Sequence, residues 1–245
     1  MTTTSPRPGF RLDGATALVT GANRGLGRHL TEQLLARGAK VYATARRPET
    51  IDVPGAVPLQ LDVTDEASVA AAAQAASDTT LVINNSGVSL WTDLVTSDLA
   101  GIETEVDTNL WGPLRVVRAF APVLAAHGGG AILNVLSAQS WFAYPSTHGY
   151  HVSKAATWAL TNGIRLELEA QGTLVSGVHI GPMDTEMSSG YEGAKVSPAE
   201  VARRALDGLE AGEIEILADD WSAHVKRRLA EHPSRLYEEI LAGIV

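Results

Sequence analysis

Short apolar segments alternate with longer segments of helical periodicity along most of this chain. The apolar segments are mostly continuous rather than alternating, which is typical of strands covered on both faces. We predict seven strands, at residues 15–20, 40–45, 57–61, 80–84, 131–136, 174–180 and 213–217. We predict five helices between them, at residues 25–37, 66–76, 98–126, 150–170 and 197–212.

This alternation predicts an α/β fold, a single doubly wound Rossmann-type domain with a seven-stranded, mostly parallel sheet and helices on both faces. We expect the polar, Pro/Gly-rich residues 1–10 to be flexible and residues 11–245 to form the one domain. Residues 219–245 mix charges with apolar positions and predict a helical C-terminal extension, for which a subunit contact is one interpretation. Those apolar positions are Val225, Leu229, Leu236, Ile240 and Leu241.

Composition narrows the class of protein further. The 245 residues include 19 Lys and Arg against 28 Asp and Glu, a net charge of −9, which disfavours binding to nucleic acid or to an anionic membrane. The absence of cysteine excludes disulfides, thiolate chemistry and Cys-ligated metals. No apolar run reaches the length of a membrane helix and the N-terminus has no apolar signal core, so we expect a soluble, cytoplasmic protein.

A glycine cluster follows the first predicted strand and opens the first predicted helix. Glycines let the backbone turn sharply and approach a pyrophosphate, while the helix N-terminus supplies N–H donors. This context is the one that a dinucleotide site requires, and a tight strand–helix turn is the alternative. The candidate cofactor-binding residues here are Gly21, Asn23, Arg24, Gly25, Leu26 and Gly27.

The end of the second predicted strand indicates which dinucleotide would bind. An NAD site typically places an acid there for the ribose 2′-hydroxyl, but this chain has Ala45 followed by Arg46. A guanidinium can bind a 2′-phosphate through two parallel hydrogen bonds, and Arg24 could reach the same place. A pair of solvated arginines is the alternative. The sequence therefore favours NADP(H) over NAD(H).

Four polar residues form a candidate catalytic group. Tyr150 and Lys154 are four residues apart, which places them on one face of a helix. Ser137 ends the fifth predicted strand, at the sheet edge where ligands bind in open α/β folds. Asn109 lies in the long helical segment beside Gly112, where a polar residue at a helix irregularity is the alternative interpretation.

The glycine spacing Thr-Gly-x-x-x-Gly-x-Gly and these four positions, in order and spacing, resemble the short-chain dehydrogenase/reductase family from residue 11 to about residue 217. The resemblance implies hydride transfer between a nicotinamide and a carbonyl or alcohol. It also implies cofactor contacts from Asp62 and Val63, from Asn85 and Gly87 in an Asn-Asn-Ser-Gly segment that carries Ser86 for the usual Ala, and from Gly181 and Thr185. Ile180 stands where the family has Pro, and Pro182 lies two places further on.

The chemistry assigned to the four residues follows from their side chains and from that resemblance. A phenol titrates near pH 10, and a neighbouring ammonium together with an oxidised nicotinamide would lower the pKa of Tyr150. Tyr150 would then be the general acid in reduction and the base in oxidation. Lys154 would also hold the nicotinamide ribose, Ser137 would hydrogen-bond the substrate oxygen, and Asn109 would position a water.

The substrate side carries weaker signals. Apolar and aromatic residues near the predicted strand ends suggest an apolar or aromatic carbonyl compound, although each could instead be a packing residue. These candidates are Trp91, Trp141, Tyr144, His148, Met183 and Met187. His148 and His151 are three residues apart without a third ligand, so we expect no metal. Residues 186–196 could form a mobile lid or a plain surface loop.

Two alternatives to carbonyl reduction stay open at this point. The same residues could reduce a C=N bond or catalyse epimerisation, and the chain could instead be a non-catalytic NADP(H)-binding regulator. The paired Tyr150 and Lys154 argue against the regulator. By the same resemblance, residues 110–124 and 155–168 would form a helix–helix interface of a homodimer or homotetramer.

Overall fold

A computed structural model describes residues 8–242, and its central feature is a seven-stranded sheet. The strands are β1 (Thr16–Val19), β2 (Lys40–Ala45), β3 (Val57–Gln60), β4 (Leu81–Asn84), β5 (Ala131–Val135), β6 (Leu174–His179) and β7 (Glu215–Leu217). They lie in the order β3-β2-β1-β4-β5-β6-β7, and all six neighbouring pairs are parallel. The predicted doubly wound fold is confirmed.

The strand order reverses between β1 and β4, which are neighbours in the sheet. Val19 of β1 lies opposite Ala43 of β2 on one side and Ile83 of β4 on the other. In open parallel sheets, ligands bind in the crevice outside the carboxyl ends of the strands at such a reversal. The topology therefore places the segments that follow β1 and β4 at one candidate binding crevice.

Eight α-helices connect and cover the strands of the described chain. They are α1 (Gly25–Ala36), α2 (Glu66–Ala75), α3 (Leu99–Val106), α4 (Gly112–Ala126), α5 (His148–Glu167), α6 (Pro198–Glu210), α7 (Asp220–Arg228) and α8 (Pro233–Leu241). Short 3-10 turns lie at Pro48–Thr50, Ala138–Ser140 and Glu186–Ser188.

Apolar faces of the helices cover both faces of the sheet. In α1, Leu26, Leu30 and Leu34 recur every four residues and are buried against the sheet and α6. On the opposite face, α2, α4 and α5 pack together around Phe120 and Ile164. This two-sided cover explains why most strand segments are apolar throughout.

The long helix predicted at residues 98–126 is interrupted in the structure. Helix α3 ends at Val106, a π-helical turn occupies Asp107–Trp111, and α4 begins at Gly112. In that turn, the Asn109 carbonyl oxygen accepts a hydrogen bond of 2.8 Å from Thr157 Oγ1 of α5. A π-turn adds a residue to the helical turn, and such turns often occur at functional sites. Apolar periodicity does not report this insertion.

Strand β3 differs from the other strands, because it lies at the sheet edge. Val57, Pro58 and Gln60 are exposed, so the expected cover on both faces is wrong for this strand. An edge position tolerates a proline, which cannot donate a ladder hydrogen bond.

The two ends of the described chain pack against its own body. The Phe10 amide donates to the Leu209 carbonyl oxygen over 3.0 Å, while residues 1–7, expected to be flexible, lie outside the described residues. In the extension after β7, Val225, Leu236 and Ile240 are buried against Ala138 and Phe142. The extension therefore supports the segment that follows β5, on the substrate side of the same chain. No helix within residues 8–242 is long and apolar enough to cross a membrane.

Candidate active site

The loop between β1 and α1 forms a cradle of bare backbone. Gly21 and Gly25 have φ of +64° and +52°, values that side-chain-bearing residues rarely adopt. A Cβ at Gly27 would lie 2.1 Å from the Gly21 carbonyl oxygen, so only glycine fits there. The N-cap residue of α1 is Arg24, and no side chain in the described part of the chain caps this helix end. Its first N–H groups fit a pyrophosphate.

Asn85 and Thr20 tie the ends of β4 and β1 together. The Asn85 and Ser86 amides each donate to Thr20 Oγ1 over 2.9 Å. Asn85 Nδ2 donates to the carbonyl oxygens of Thr20 and Gly21, over 2.8 and 3.1 Å. Ser86 is accommodated because Gly21 has no Cβ, which would lie 3.0 Å from Ser86 Oγ. The glycine loop is thus fixed from β4 as well as from β1.

Two arginines lie beside this loop. The Ala22 amide donates to the Thr44 carbonyl oxygen of β2 over 2.9 Å, which holds the loop against the strand that leads into Arg46. Arg46 is exposed, and Arg24 forms an exposed ion pair with Glu186. An exposed ion pair contributes little to stability, so an incoming phosphate can compete with Glu186 for Arg24.

The remaining predicted cofactor residues before β4 have structural partners. Asn23 Nδ2 donates to Thr50 Oγ1 over 3.1 Å, next to the end of β2. Asp62 Oδ1 accepts from the amide and the hydroxyl of Thr64, over 3.0 and 2.7 Å, which shapes the turn after β3. Val63 is buried against α4, where a Cβ at Gly112 would lie 2.9 Å from its Cγ2.

Ser137, Tyr150 and Lys154 meet at the carboxyl end of β5. Tyr150 lies in the first turn of α5 near the buried Ser137, whose hydroxyl lowers the pKa of Tyr150 and donates to the Ile180 carbonyl oxygen over 3.4 Å. The Lys154 ammonium lies 5.6 Å from the centre of the Tyr150 ring and donates to the Val135 carbonyl oxygen over 2.9 Å. The structure therefore brings three of the four predicted catalytic residues directly together.

Burial dominates the titration of this group. Burial raises the pKa of Tyr150 to about 12. The Ser137 hydroxyl lowers this pKa, and the charge of Glu105 raises it by less than burial does. Burial also lowers the pKa of Lys154 to about 8. The expected lowering of the Tyr150 pKa by Lys154 is not among its causes. In this structure the phenol is a proton donor at neutral pH.

The fourth residue, Asn109, is buried behind this group. Asn109 Nδ2 donates to the Val88 carbonyl oxygen and to Ser153 Oγ, each over 2.9 Å, and the Val88 amide donates back to Asn109 Oδ1 over 2.9 Å. A Cβ at Gly87 would lie 3.2 Å from Asn109 Oδ1 and 3.7 Å from Lys154 Nζ. Asn109 thus fixes the segment after β4 close to Lys154.

The loop after β6 is held from the C-terminal extension. The Gly181 amide donates to Asp219 Oδ2 over 2.6 Å, and a Cβ at Gly181 would lie 2.3 Å from Trp221. Further along, Met183 pairs with Val196, and the Asp184 amide donates to the Val196 carbonyl oxygen over 3.0 Å. Residues 184–195 therefore form a loop closed at its base, with Thr185 at its start.

The predicted substrate residues separate into two groups. Trp91 and Met187 are 43% and 42% exposed at the rim, and a Cβ at Gly190 would lie 3.3 Å from the Trp91 ring. Tyr144 packs edge-on against Tyr191 of the same loop, with ring centres 6.2 Å apart. Trp91 and Tyr144 therefore both contact the loop of residues 184–195, to which Met187 belongs.

The other three predicted substrate residues have packing contacts. Trp141 stacks on His179, with ring centres 3.8 Å apart, and lies edge-on to Trp158. Met183 packs against the apolar core on the α1 and α6 face. His148 Nδ1 lies 3.1 Å from Asp93 Oδ1, an ion pair at the rim when the imidazole is protonated. Trp141 and Met183 thus make packing contacts in the structure, whereas the sequence predicts them as substrate-pocket residues.

Two residues that shape this side were not predicted from the sequence. Glu105 of α3 is fully buried and accepts hydrogen bonds from the Leu90 amide and from Thr92 Oγ1. Asp219 holds Gly181 and also caps α7 through the Ser222 amide, over 2.7 Å. An Asp after a strand and before a helical pattern is a readable cap signal. Glu105 has no comparable local signal.

Comparison with known proteins agrees with this geometry. The family model of short chain dehydrogenases matches residues 15–195. A crystal structure of a short chain dehydrogenase from Burkholderia cenocepacia in complex with NADP superposes with a TM-score of 0.90 at 38% identity. That alignment covers 94% of this chain and 99% of the other.

Two curated relatives from Schizosaccharomyces pombe are also similar. An uncharacterised oxidoreductase is 32% identical over 194 residues, which is 76% of this chain and 66% of the relative. An NADPH-dependent 1-acyldihydroxyacetone phosphate reductase is 33% identical over 181 residues, which is 70% of this chain and 61% of the relative. The chain spans just under two thirds of the length of both relatives. On its family match, its fold and the grouping of Ser137, Tyr150 and Lys154, the chain belongs to the short-chain dehydrogenase/reductase family of oxidoreductases.

Proposed function

We propose that this oxidoreductase is an NADPH-dependent ketone reductase that also runs in reverse as an alcohol dehydrogenase. The observation that carries the proposal is the position of the half-buried Tyr150 beside Ser137 and Lys154 at the carboxyl end of β5. The Tyr150 phenol carries its proton at neutral pH, which is the form that carbonyl reduction requires, and the positive charge of Lys154 would offset the rise in its pKa that burial causes.

The residues present fit an NADPH molecule. The glycine cradle and the open N-terminus of α1 would hold the pyrophosphate, and Arg24 and Arg46 would bind the 2′-phosphate. Lys154 would hold the ribose next to the nicotinamide, with Asn85, Gly87, Gly181 and Thr185 around it. When bound, NADPH supplies the hydride. The NADP complex of the Burkholderia protein and the NADPH dependence in the name of the yeast reductase support this choice.

The residues of the chain would handle the proton. Tyr150 would donate its phenolic proton to the carbonyl oxygen of the ketone, and Ser137 would donate a hydrogen bond to the same oxygen. Lys154, charged below its pKa of about 8, would stabilise the phenolate that Tyr150 becomes. Asn109 would hold the backbone after β4 beside Lys154, and the resemblance assigns it the positioning of a relay water.

The substrate proposed is an apolar or aromatic ketone. Trp91, Met187, Tyr144 and Tyr191 present apolar and aromatic surface on the loop of residues 184–195 and on the segments that contact it. Apolar lining with a few placed polar groups is typical of sites for small apolar ligands. We expect a cytoplasmic homodimer or homotetramer through residues 110–124 and 155–168. The exposed apolar side chains of Trp111 and Leu166, which lie in these segments, support this expectation.

A Tyr150→Phe variant tests the reaction. The wild type should oxidise NADPH with at least one of a panel of aliphatic, aryl and steroid-sized ketones. The variant should lose about 1,000-fold or more in kcat, since general acid catalysis contributes factors of this order, while its Kd for NADPH stays within about threefold. Equal turnover by both proteins would contradict the proposal, and so would an inactive wild type across the panel.

An Arg46→Ala variant tests the cofactor assignment separately. Loss of a bidentate contact to a dianionic phosphate should weaken NADPH binding about 10- to 100-fold and leave NADH binding nearly unchanged. Titration of both cofactors by fluorescence measures the two Kd values, and Arg47→Ala is the matched neighbour that should have little effect. Equal losses for NADPH and NADH would rule out the 2′-phosphate contact.

A further inference from the structure

A buried carboxyl group, that of Glu105, lies next to the candidate active site, and no step of the proposed reaction uses it. Glu105 is 0% exposed, and its two oxygens accept separate hydrogen bonds: 2.7 Å from the Leu90 amide to Oε1, and 2.6 Å from Thr92 Oγ1 to Oε2. Within residues 8–242, no Lys, Arg or His forms an ion pair with it. A fully buried carboxyl group is tolerated only where hydrogen bonds satisfy its oxygens, and these two contacts do so.

The two contacts of Glu105 lie on either side of an unusual residue. Trp91 has φ of +56°, in the left-handed region that bulky residues seldom occupy. Because Glu105 holds both Leu90 and Thr92, it fixes the turn that forces Trp91 into this conformation. Backbone strain of this kind persists where the surroundings over-determine it, and it concentrates at functional sites.

The same turn is fastened to the helix that carries Tyr150. The Thr92 carbonyl oxygen accepts from the amides of His148 and Gly149, over 2.9 and 3.3 Å. A Cβ at Gly149 would lie 2.3 Å from Glu105 Oε2 and 2.2 Å from Thr92 Oγ1, so a glycine is needed at this place in α5. The turn of residues 90–92 is therefore joined to the first turn of α5, one residue before Tyr150.

The Trp91 ring extends from this turn to the loop of residues 184–195. The ring is 43% exposed and lies against Gly190 of the loop 184–195. The indole thus has one edge against that loop and surface left for a ligand. A rigid aromatic side chain in such a position contributes apolar contact area with little loss of conformational entropy.

We propose that Glu105 is a positioning residue for substrate selection: it holds Leu90 and Thr92 so that Trp91 stands against the 184–195 loop and contacts the aryl or bulky apolar group of the ketone. This inference rests on the proposed ketone reduction. Its hydrogen bonds act on the substrate through Trp91, and its only other effect on the site is the long-range effect of its charge on the pKa of Tyr150.

The test compares an aryl ketone with a small aliphatic ketone. In Glu105→Ala, the ratio of kcat/KM for the aryl ketone to that for the small ketone should fall at least tenfold, mainly through KM of the aryl ketone. Glu103→Ala removes the same charge from the exposed side of the same helix and should leave the ratio at the wild-type value. In a Trp91→Ala background, Glu105→Ala should change the ratio by less than about twofold, because both changes remove the same wall.

A second pair of variants covers the case in which Glu105→Ala does not fold. Thr92→Val removes one hydrogen bond to Glu105 at nearly constant side-chain shape and should lower the preference for the aryl ketone. Thr92→Ser keeps the hydroxyl and should leave this preference at the wild-type value. Acrylamide quenching of Trp91, obtained by subtracting Trp91→Phe spectra, should rise in Thr92→Val and not in Thr92→Ser.

The outcomes separate this inference from the proposed function. If the wild type reduces ketones but the variants lower kcat equally for both substrates, or leave the aryl preference and the quenching unchanged, the role of Glu105 is overturned and ketone reduction stands. If the wild type reduces no ketone while Tyr150→Phe still binds NADPH, the proposed function fails. Substrate selection by Glu105 then fails with it, whatever the quenching shows.

Discussion

The proposed cofactor side and the proposed substrate side of this site are built in different ways. On the cofactor side, the glycine loop, Thr20 and Asn85 lie directly after β1 and β4, and mostly backbone atoms define the surface. On the substrate side, buried side chains from distant segments hold the loops: Glu105 holds Leu90 and Thr92, and Asp219 holds Gly181.

This difference explains which parts of the site carry local sequence signals. A cradle made of backbone needs glycine at fixed spacing after a strand, and that spacing is readable. Loops held by side chains from other elements can change in sequence as long as some partner holds them. The cofactor side is therefore constrained by local geometry, and the substrate side by long-range contacts.

The largest expected effect comes from breaking the backbone cradle. Gly27→Ala places a Cβ 2.1 Å from the Gly21 carbonyl oxygen, and because the obstacle is backbone, the loop or the helix must shift. We expect the free energy of unfolding to fall by about 3 kcal/mol and NADPH binding to weaken more than tenfold. Urea unfolding and cofactor titration measure the two effects.

Gly163→Ala is the matched control for this prediction. Gly163 lies in α5 and a Cβ there meets nothing within 4 Å, so alanine should stabilise the helix by about 0.5–1 kcal/mol. A Gly27→Ala protein as stable as the wild type, with unchanged NADPH affinity, would show that the cradle is not fixed by backbone packing.

A smaller change in the free energy of unfolding, a gain instead of a loss, is expected from a substitution at Lys154, where the two sides meet. Its ammonium is 5% exposed and burial lowers its pKa to about 8, so the charge costs stability at neutral pH. Lys154→Met keeps the length and removes the charge, at the loss of the hydrogen bond to Val135. We expect a gain of about 1–2 kcal/mol in the free energy of unfolding at pH 7, together with loss of ketone reduction.

The pH dependence of the free energy of unfolding tests whether burial of the Lys154 charge is the cause of this gain. Between the folded pKa of about 8 and the ordinary value of 10.5, the unfolded chain binds more protons at this residue than the folded one. The burial cost is therefore fully present below pH 8 and disappears as the pH rises towards 10.5. The Lys154 contribution makes wild-type stability rise over that range relative to Lys154→Met. A constant difference between the two proteins from pH 7 to 10.5 would contradict this account.

Apolar periodicity predicts the doubly wound parallel sheet and most helix positions, whereas the grouping of Ser137 with Tyr150 is implied by the family resemblance together with the place of Ser137 at a strand end. The π-turn around Asn109 bears out the helix irregularity that is the alternative interpretation there, although a one-residue insertion leaves the apolar pattern nearly intact and only the nearby Gly112 points to it. The sequence does not distinguish Trp141, which stacks on His179, from Trp91, which contacts the loop of residues 184–195. Both follow strand ends, and only tertiary contacts separate them.

The smallest expected effect is one of the Glu105 charge on the pKa of Tyr150, and it would show that the proposed substrate side also influences proton transfer. The groups that face the Tyr150 hydroxyl or lie close to it are the Ser137 hydroxyl, the Lys154 ammonium and the Glu105 carboxylate, and the last raises the Tyr150 pKa. Glu105→Gln keeps the shape, can still pair with Leu90 and Thr92, and removes the charge. The Tyr150 pKa should fall, and in alcohol oxidation, where Tyr150 must be deprotonated, the rise of kcat/KM with pH should move to lower pH by less than about one unit.

Glu103→Gln, an exposed change on the same helix, should leave the pH profile in place. A profile that moves to higher pH in Glu105→Gln would contradict the assigned sign. Because burial and the Ser137 hydroxyl both outweigh Glu105 at Tyr150, a small displacement is the expected size, and it would link the residue that fixes Trp91 to the proton that Tyr150 transfers.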